Sequence, residues 1–249
     1  MGTVLEVKHL KKTYKKGKNL IPAVEDISFQ IQTGECLGLV GESGKSTVAK
    51  MITGLESADE GEILLNGKVI TGLKGTAQRD VYRDIQLVFQ MPTESFNPRI
   101  KLGEGIMESM INQGMRRNEA KTKAREYLEI CGLSPEFVDR YPHQVSGGEC
   151  QRASIARAIA INPQLLICDE ATSALDVTVQ AQIMKLLTKF KKELGMSQLM
   201  ICHDLALVQE SCDRVLVMHN GRVVEEGTPD EIIMNPQEVY TKKLIESIF

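Results

Sequence analysis

A Ser-Gly-Gly turn followed by an acid-ended strand constrains the fold of this chain more than any other feature. Residues 146–152 read SGGECQR, in which the turn opens a basic helical segment. Residues 163–170 read PQLLICDE, an apolar strand that ends in two carboxylates. A helix start offers backbone N–H groups to anions, and open α/β sheets bind ligands at the carboxyl ends of their strands. The two segments therefore predict an α/β protein with a phosphate site.

Further apolar runs predict that the sheet around this strand is parallel and buried. The run at 36–40 is unbroken, and similar apolar segments recur at 85–89, 165–168 and 199–202. Helical patterns separate them, and strands that alternate with helices form parallel sheets covered on both faces. The first run continues through glycines into a helical segment that starts at Lys45.

The front of the chain has a different pattern, which predicts antiparallel strands. Segments 4–7 and 27–31 alternate apolar and polar residues, as half-buried strands do. Asn-Gly pairs at 66–67 and 220–221 indicate hairpin turns. Between 98 and 141 helical periodicity replaces the strand pattern, so we expect a helical insertion there.

Composition narrows the class of protein. The 249 residues are 42% hydrophobic and 25% charged, which is ordinary for a globular protein. A net charge of −3 gives no electrostatic footprint for nucleic acid, and no apolar run approaches the roughly 20 residues that span a bilayer. Six scattered cysteines without a Cys-x-x-Cys pair indicate reduced thiols. We expect a cytosolic protein, unless a partner holds it at a membrane.

The motifs together resemble those of the nucleotide-binding subunit of an ABC transporter, over nearly the whole chain. Residues 146–152 resemble the signature loop of that family, and 163–170 resemble its Walker B strand. A narrower resemblance, to the ATPase subunits of bacterial oligopeptide, dipeptide and nickel importers, rests on SFNPR at 95–99, RYPH at 140–143 and VYTKKL at 239–244. The resemblance implies a P-loop NTPase (RecA-like) core with a mainly parallel sheet, an N-terminal antiparallel β subdomain and an inserted α-helical subdomain.

From the same resemblance we expect a single ABC ATPase domain over 1–249, with three approximate subdomains. These are antiparallel β structure at 1–34 and 56–84, a nucleotide-binding core at 35–55, 85–97 and 150–249, and the helical insertion with the signature loop at 98–149.

On the strand side of the site, the resemblance assigns four residues to the hydrolysis of ATP with Mg²⁺. Asp169 would hold Mg²⁺, directly or through water, and Glu170 would be the general base for the attacking water. His203, after the run 199–202, matches the histidine that contacts the γ-phosphate. Gln90 matches the glutamine that reaches Mg²⁺ or the attacking water and senses the membrane partner. The other three histidines are expected to be surface or core residues.

Two loops are expected to hold nucleotide. Ser46 of the P-loop would also bind Mg²⁺, and Tyr14 matches the aromatic that stacks on adenine, although packing alone would also explain an aromatic there. In the signature loop, the family usually has glutamine where this chain has Glu149. A separate segment, SALD at 173–176, matches the D-loop of the family, which crosses the dimer interface. Because the signature loop binds the ATP of the opposite subunit, the motif implies a dimer. The P-loop residues are Gly41, Glu42, Ser43, Gly44, Lys45, Ser46 and Thr47, and the signature residues are Ser146, Gly147, Gly148 and Glu149.

The P-loop is two residues short. Phosphate-binding loops read G-x-x-x-x-G-K-[ST], whereas only Glu42 and Ser43 separate Gly41 from Gly44 here. Two residues span about 7 Å, comparable to the arc that wraps a phosphate with N–H groups. If two charge-assisted hydrogen bonds are lost, nucleotide affinity falls by roughly 10² to 10⁴. The intact motifs elsewhere favour an isolated deletion or sequence error over an old inactive subunit, and a third possibility is that the following helix unwinds to lend residues to the loop.

Two function classes follow. The first is an ATP-hydrolysing subunit that closes on ATP with a second ATPase subunit, as a heterodimer, and drives two transmembrane permease subunits fed by an extracellular substrate-binding protein. The second is a binding-only subunit whose signature loop completes the partner's ATP site. An ABC ATPase that acts on DNA or ribosomes is disfavoured because no coiled-coil insertion, zinc motif or basic face is evident. The resemblance implies a peripheral location at the cytoplasmic face of the membrane. Some subunits of the resembling importers carry a cysteine-bearing C-terminal extension, and because this chain ends at Phe249 without one, we expect no iron–sulfur cluster.

Overall fold

The computed structural model describes residues 2–17, 19–91, 95–172 and 175–246. Within these ranges the strands are β1 (Thr3–Lys16), β2 (Asn19–Gln32), β3 (Cys36–Gly41), β4 (Glu60–Leu65), β5 (Lys68–Val69), β6 (Ile85–Val88), β7 (Leu165–Asp169), β8 (Ser197–Ile201), β9 (Arg214–His219) and β10 (Arg222–Gly227). The helices are α1 (Lys45–Ile52), α2 (Thr76–Asp84), α3 (Leu102–Asn112), α4 (Arg117–Ile130), α5 (Gly147–Ile159), α6 (Val177–Leu194), α7 (Leu205–Ser211), α8 (Pro229–Met234) and α9 (Val239–Glu246), with 3₁₀ helices at Pro135–Asp139 and Pro142–Gln144.

The strands named above form one sheet, in the order β5-β4-β1-β2-β10-β9-β3-β8-β7-β6. Its β9-β3-β8-β7-β6 portion is parallel throughout. At the other end, β1 pairs antiparallel with β2 and β4, and β4 pairs antiparallel with β5. The antiparallel β9–β10 hairpin joins the two parts through a parallel pairing of Arg222 with Asp26. This arrangement confirms the predicted fold class, in which a mainly parallel core lies beside antiparallel strands.

The central strands lie where the apolar runs predicted them. β3, β7 and β8 each have only buried residues, as strands covered on both faces do. The apolar runs mark most of their length, and β8 also buries the polar Ser197 and Gln198. Both Asn-Gly pairs are hairpin turns, between β4 and β5 and between β9 and β10. β1 and β2 are much longer than the segments 4–7 and 27–31 that alternation indicated.

Side chains of β3 alternate between two hydrophobic clusters, one on each face of the sheet. Leu37 and Leu39 enter the cluster that contains α1 and the antiparallel strands. Cys36 and Val40 enter the cluster formed with the other helices. Packing on both faces fixes the position of β3, and therefore gives the loop that follows Gly41 a rigid base.

Residues 98–149, all of which the structure describes, contain helices and no strand. In α3, Gly103 lies so close to Val138 that an added Cβ would overlap that residue. In the range 56–84, α2 adds a helix to β4 and β5, whereas the sequence assigned only antiparallel β structure there. No helix in the described ranges has the length and apolar character that crossing a bilayer requires.

Candidate functional site

The carboxyl ends of β3, β7 and β8 lie side by side and bring the predicted phosphate residues to one sheet edge. The backbone N–H of Glu170, just beyond β7, donates to the Ile201 carbonyl at 2.9 Å. The N–H of Cys202, just beyond β8, donates to the Leu39 carbonyl at 3.3 Å. Each strand therefore ends against its neighbour, and the residues that follow share one edge of the sheet.

Glu170 is the centre of a three-residue contact at this edge. The Gln90 side-chain amide donates to Glu170 Oε2 at 2.6 Å. His203 Nε2 lies 2.5 Å from the other oxygen, Oε1. The Glu170 backbone has a positive φ of 48°, a conformation uncommon outside glycine, which turns the chain sharply after β7. The structure thus brings together the three residues that the sequence named as catalytic.

Asp169 and Ser46 form a second pair beside Glu170. The Ser46 hydroxyl donates to Asp169 Oδ1 at 2.8 Å. Burial raises the pKa of Asp169, while the Ser46 bond acts against that rise. Two hard oxygen donors this close, one of them a carboxylate, fit the chemistry of a Mg²⁺ site. Gln90, the third predicted metal ligand, contacts Glu170, the residue that follows Asp169.

The short P-loop directs its lysine inward. β3 ends at Gly41 and α1 begins at Lys45, with Gly44 as the residue before the helix. Lys45 Nζ donates to the carbonyl oxygens of Gly41 and, at 3.0 Å, of Glu42. The Lys45 side chain is buried, and burial lowers its pKa. The ammonium group that is expected to hold phosphates is therefore bound to the backbone of its own loop.

The two ends of the P-loop are closely packed. Gly41 and Gly44 both have positive φ, of 108° and 101°. An added Cβ would overlap the Met218 carbonyl oxygen at Gly41 and the Ala23 carbonyl oxygen at Gly44. The loop therefore passes between β9 and β2, where its backbone packs directly on other backbone.

Tyr14 lies near the P-loop, because its strand pairs with β2 and β2 contacts Gly44. On the paired strand β1, Tyr14 lies opposite Ile21, two residues before the Ala23 that borders Gly44. The Tyr14 side chain is partly exposed, and Lys12 Nζ lies 5.5 Å from its ring centroid. An aromatic ring thus stands on the strand hairpin that flanks the P-loop.

The P-loop and the strand ends enclose an open cavity of about 440 Å³. Its lining contains Lys45 and Ser46 together with Glu170 and His203. The first hydrogen bond of α1 runs from Val48 N–H to the Gly44 carbonyl, so the preceding N–H groups have no acceptor within the helix. Backbone N–H groups of this kind at a helix start suit an anionic ligand. The remaining lining residues are Glu42, Ser43, Gly44 and Thr47.

The signature residues form the start of α5, away from this cavity. Ser146 is the N-cap, and its hydroxyl and backbone N–H both bond to Glu149 Oε2, at 2.9 and 2.8 Å. Gly148 packs on α6, where an added Cβ would lie 2.8 Å from Val179 Cγ1. Of the residues that line the P-loop cavity, none belongs to Ser146, Gly147, Gly148 or Glu149. In the predicted D-loop, Ser173 and Ala174 lie outside the described residues.

The sequence missed a contact between the last helix and the P-loop. His219, which was expected to be an ordinary surface or core residue, stacks on Tyr240 of α9 with ring centroids 3.9 Å apart. His219 Nδ1 lies 3.8 Å from the Glu42 carboxylate. A cavity of about 700 Å³ beside the loop is lined by Glu42, His203 and residues of α9. No local pattern could reveal this packing, because it joins segments far apart in the chain.

Arg157 is another residue that the sequence did not single out. It lies in α5 and donates from Nη1 to the Ser95 carbonyl, while its guanidinium lies 4.5 Å from the Phe96 ring centroid. Burial lowers the pKa of Arg157. Phe96 is buried in turn against Gly105 of α3. The segment downstream of Gln90 is therefore fixed to the helix that carries the signature residues.

Replacing Arg157 should destabilise the protein. Arg157→Ala removes a charged hydrogen bond and a cation–π contact at a buried position. We therefore expect the free energy of unfolding to fall by about 2–3 kcal/mol. Chemical denaturation measures the change, with Arg125→Ala on the exposed face of α4 as the control that should leave the midpoint nearly unchanged. Equal midpoints for both variants would show that the contact contributes nothing.

The sequence profile of the ABC transporter family matches residues 24–173. The chain belongs to the ABC transporter family. Its relatives include the "Oligopeptide transport ATP-binding protein OppF" of Salmonella typhimurium, 42% identical over 98% of this chain and 74% of the relative. OppF of Bacillus subtilis is 42% identical over 98% of this chain and 82% of the relative. The "Glutathione import ATP-binding protein GsiA" of Pectobacterium atrosepticum is 44% identical over 92% of this chain but only 37% of its own length.

Solved structures agree with the ABC transporter assignment. The ATP-binding cassette MJ0796, in a dimeric post-hydrolysis state bound to ADP and Pi, is 31% identical, with a TM-score of 0.83 over 90% of this chain and 98% of that one. CbiO1 from Clostridium perfringens, part of the ABC transporter complex CbiONQ, is 28% identical, with a TM-score of 0.82 over 100% of this chain and 95% of that one. The chain therefore has the α/β P-loop NTPase fold of ABC cassettes.

Proposed function

We propose that this ABC chain binds and hydrolyses ATP to energise an importer for peptides. The observation that supports it most is the assembly of Gln90, Glu170 and His203 beside the Ser46–Asp169 pair. The relatives named for oligopeptides and glutathione favour a peptide-type substrate. Nickel is the alternative substrate class of the resembling importers.

The contacts of the site residues support the roles that the family resemblance gives them. Glu170, held at both oxygens, accepts the proton of an attacking water as the general base. Gln90 and His203 fix the direction of that carboxylate, and His203 also faces the cavity where a γ-phosphate would lie. Ser46 and Asp169 supply the oxygens for Mg²⁺, which offsets the charge of the phosphates when it is bound.

The separation of the signature residues from the chain's own cavity favours a dimer. An anion site at the start of α5 that does not border the P-loop is suited to nucleotide held by another subunit. In this proposal the partner is a second, different ATPase subunit. The pair drives two transmembrane permease subunits from the cytoplasmic face of the membrane, and an extracellular substrate-binding protein supplies the substrate. Nucleic acid has no part in it.

The second candidate is a binding-only subunit, and the Lys45 contacts favour it. Lys45 Nζ donates to the Gly41 and Glu42 carbonyls, so the ammonium group is bound to its own loop instead of being available to a phosphate. The signature loop would then complete the partner's site while the chain's own P-loop stays empty. Titration of the purified chain with ATP and Mg²⁺ separates the two candidates. Binding at millimolar ATP or below supports the hydrolysing subunit, and its absence there supports the binding-only subunit.

A heterodimer is expected in the assembled transporter. Mass measurement of the complex, purified with its permease in mild detergent, should find one copy of this chain and one of a different ATPase for each pair of permease subunits. A complex with two copies of this chain and no second ATPase would contradict the heterodimer, although the ATPase assignment would still hold.

A further inference from the structure

A carboxylate of the chain itself already occupies both donors of Ser146 in the signature loop. Glu149 Oε2 accepts hydrogen bonds from the Ser146 hydroxyl at 2.9 Å and from the Ser146 N–H at 2.8 Å. The Glu149 N–H donates in return to Ser146 Oγ at 3.3 Å. The Ser146 bonds hold the pKa of Glu149 below its usual range, so the group is an anion at neutral pH.

An incoming phosphate would need the same donors. The start of α5 attracts negative charge because its first N–H groups lack acceptors within the helix. The Ser146 hydroxyl is the side-chain donor of that turn. A phosphate and the Glu149 carboxylate cannot both use this hydroxyl, and their like charges repel at contact distance.

We propose that Glu149 competes with the phosphates of the partner subunit's ATP for the signature loop, and thereby lowers the ATP affinity of the closed pair. The inference rests on the proposed function, in which this loop serves nucleotide held in trans. Closure then requires the carboxylate to leave Ser146. Arg140 and Arg152 are positive groups near the Glu149 carboxylate.

The chain contains a matched helix start with no such role. At α8, Glu231 Oε2 accepts from the Thr228 hydroxyl at 2.9 Å and from the Thr228 N–H at 2.8 Å, and the Glu231 N–H donates to Thr228 Oγ1 at 3.3 Å. These distances equal those at Ser146. A glutamine at either position keeps an acceptor for the cap and loses only the charge. Glu231→Gln therefore controls for the effect of the substitution on the cap.

The test uses the assembled complex of this chain with its ATPase partner and permease. Closure of the two ATPase subunits is followed by energy transfer between dyes placed on them, as a non-hydrolysable ATP analogue is added. We expect Glu149→Gln to lower the half-saturating concentration about 10- to 100-fold, because a repulsion between like charges at close range is removed. The gain should shrink at high salt, since salt screens exposed charges. Glu231→Gln should leave the curve unchanged.

Three outcomes separate this inference from the function on which it rests. An unchanged or weaker response of Glu149→Gln, with thermal unfolding matched to Glu231→Gln, overturns the competition. Ser146→Phe, which fills the loop, should abolish closure on the analogue. If Ser146→Phe closes normally, the loop does not serve the partner's nucleotide, and both the inference and the proposed dimer fail. If Ser146→Phe blocks closure while Glu149→Gln has no effect, only the inference fails.

Discussion

Insertion of Gly-Ser between Ser43 and Gly44 is expected to strengthen ATP binding by about 10²-fold or more, from two recovered charge-assisted hydrogen bonds. The insertion restores G-x-x-x-x-G-K-[ST] and gives the loop the length to turn its N–H groups toward a phosphate. It should also release Lys45 from the Gly41 and Glu42 carbonyls, which now bind its ammonium group. Nucleotide titration at fixed Mg²⁺, with the partner subunit present, measures the change.

The matched control for this insertion is Lys45→Ala in both backgrounds. In the repaired chain it should erase the gain, because Lys45 then contacts the phosphates. In the unaltered chain it should change nucleotide affinity little, because Lys45 contacts its own loop instead. Equal affinity of the unaltered and repaired chains would mean that the loop already rearranges to bind phosphate, and the claim of a defective site would be wrong.

Glu170→Gln should reduce ATP turnover at this site by about 10² to 10⁴ in the repaired chain, since it removes the general base. A glutamine keeps the size of the side chain, and the position lies at a strand end, so stability should hardly change. Turnover per site, measured with the hydrolysis of the partner subunit disabled, reports the loss. Thermal unfolding of the same protein checks that the fold is intact.

If the chain is the binding-only subunit, the same substitution in the unaltered chain should have almost no effect, because the shortened loop already limits the site. The two backgrounds therefore form a cycle in which Glu170→Gln matters only after the loop is repaired. A large loss of turnover in the unaltered chain would show that this loop still supports hydrolysis. That result would favour the hydrolysing subunit over the binding-only one.

Much of the site could be predicted from the sequence because its parts are local. A strand that is buried on both faces must be apolar throughout, so the runs at 36–40, 165–168 and 199–202 revealed the parallel core. Carboxylates that follow such a strand lie at the ligand-binding edge of the sheet, which is how Asp169 and Glu170 could be placed before any contact was known. His203 was added by the family resemblance.

Other features depended on packing between distant segments. Alternation revealed only short pieces of β1 and β2, because their outer parts are exposed and are held by pairing with each other rather than by burial. The contact of Gln90 with Glu170 spans 80 positions in the chain, and no local pattern specifies where two such side chains meet. The packing of α9 on the P-loop through His219 and Tyr240 is of the same kind.

The sequence by itself determined that the P-loop is short, and only the tertiary structure decided what the shortening does. The count of residues between Gly41 and Lys45 follows from the chain, as do the identities of the motif residues. The direction of the Lys45 ammonium group does not. It depends on tertiary packing, because Gly41 and Gly44, the two ends of the loop, lie against the Met218 and Ala23 carbonyls of β9 and β2. Between these fixed ends, the Gly41 and Glu42 carbonyls accept hydrogen bonds from Lys45 Nζ.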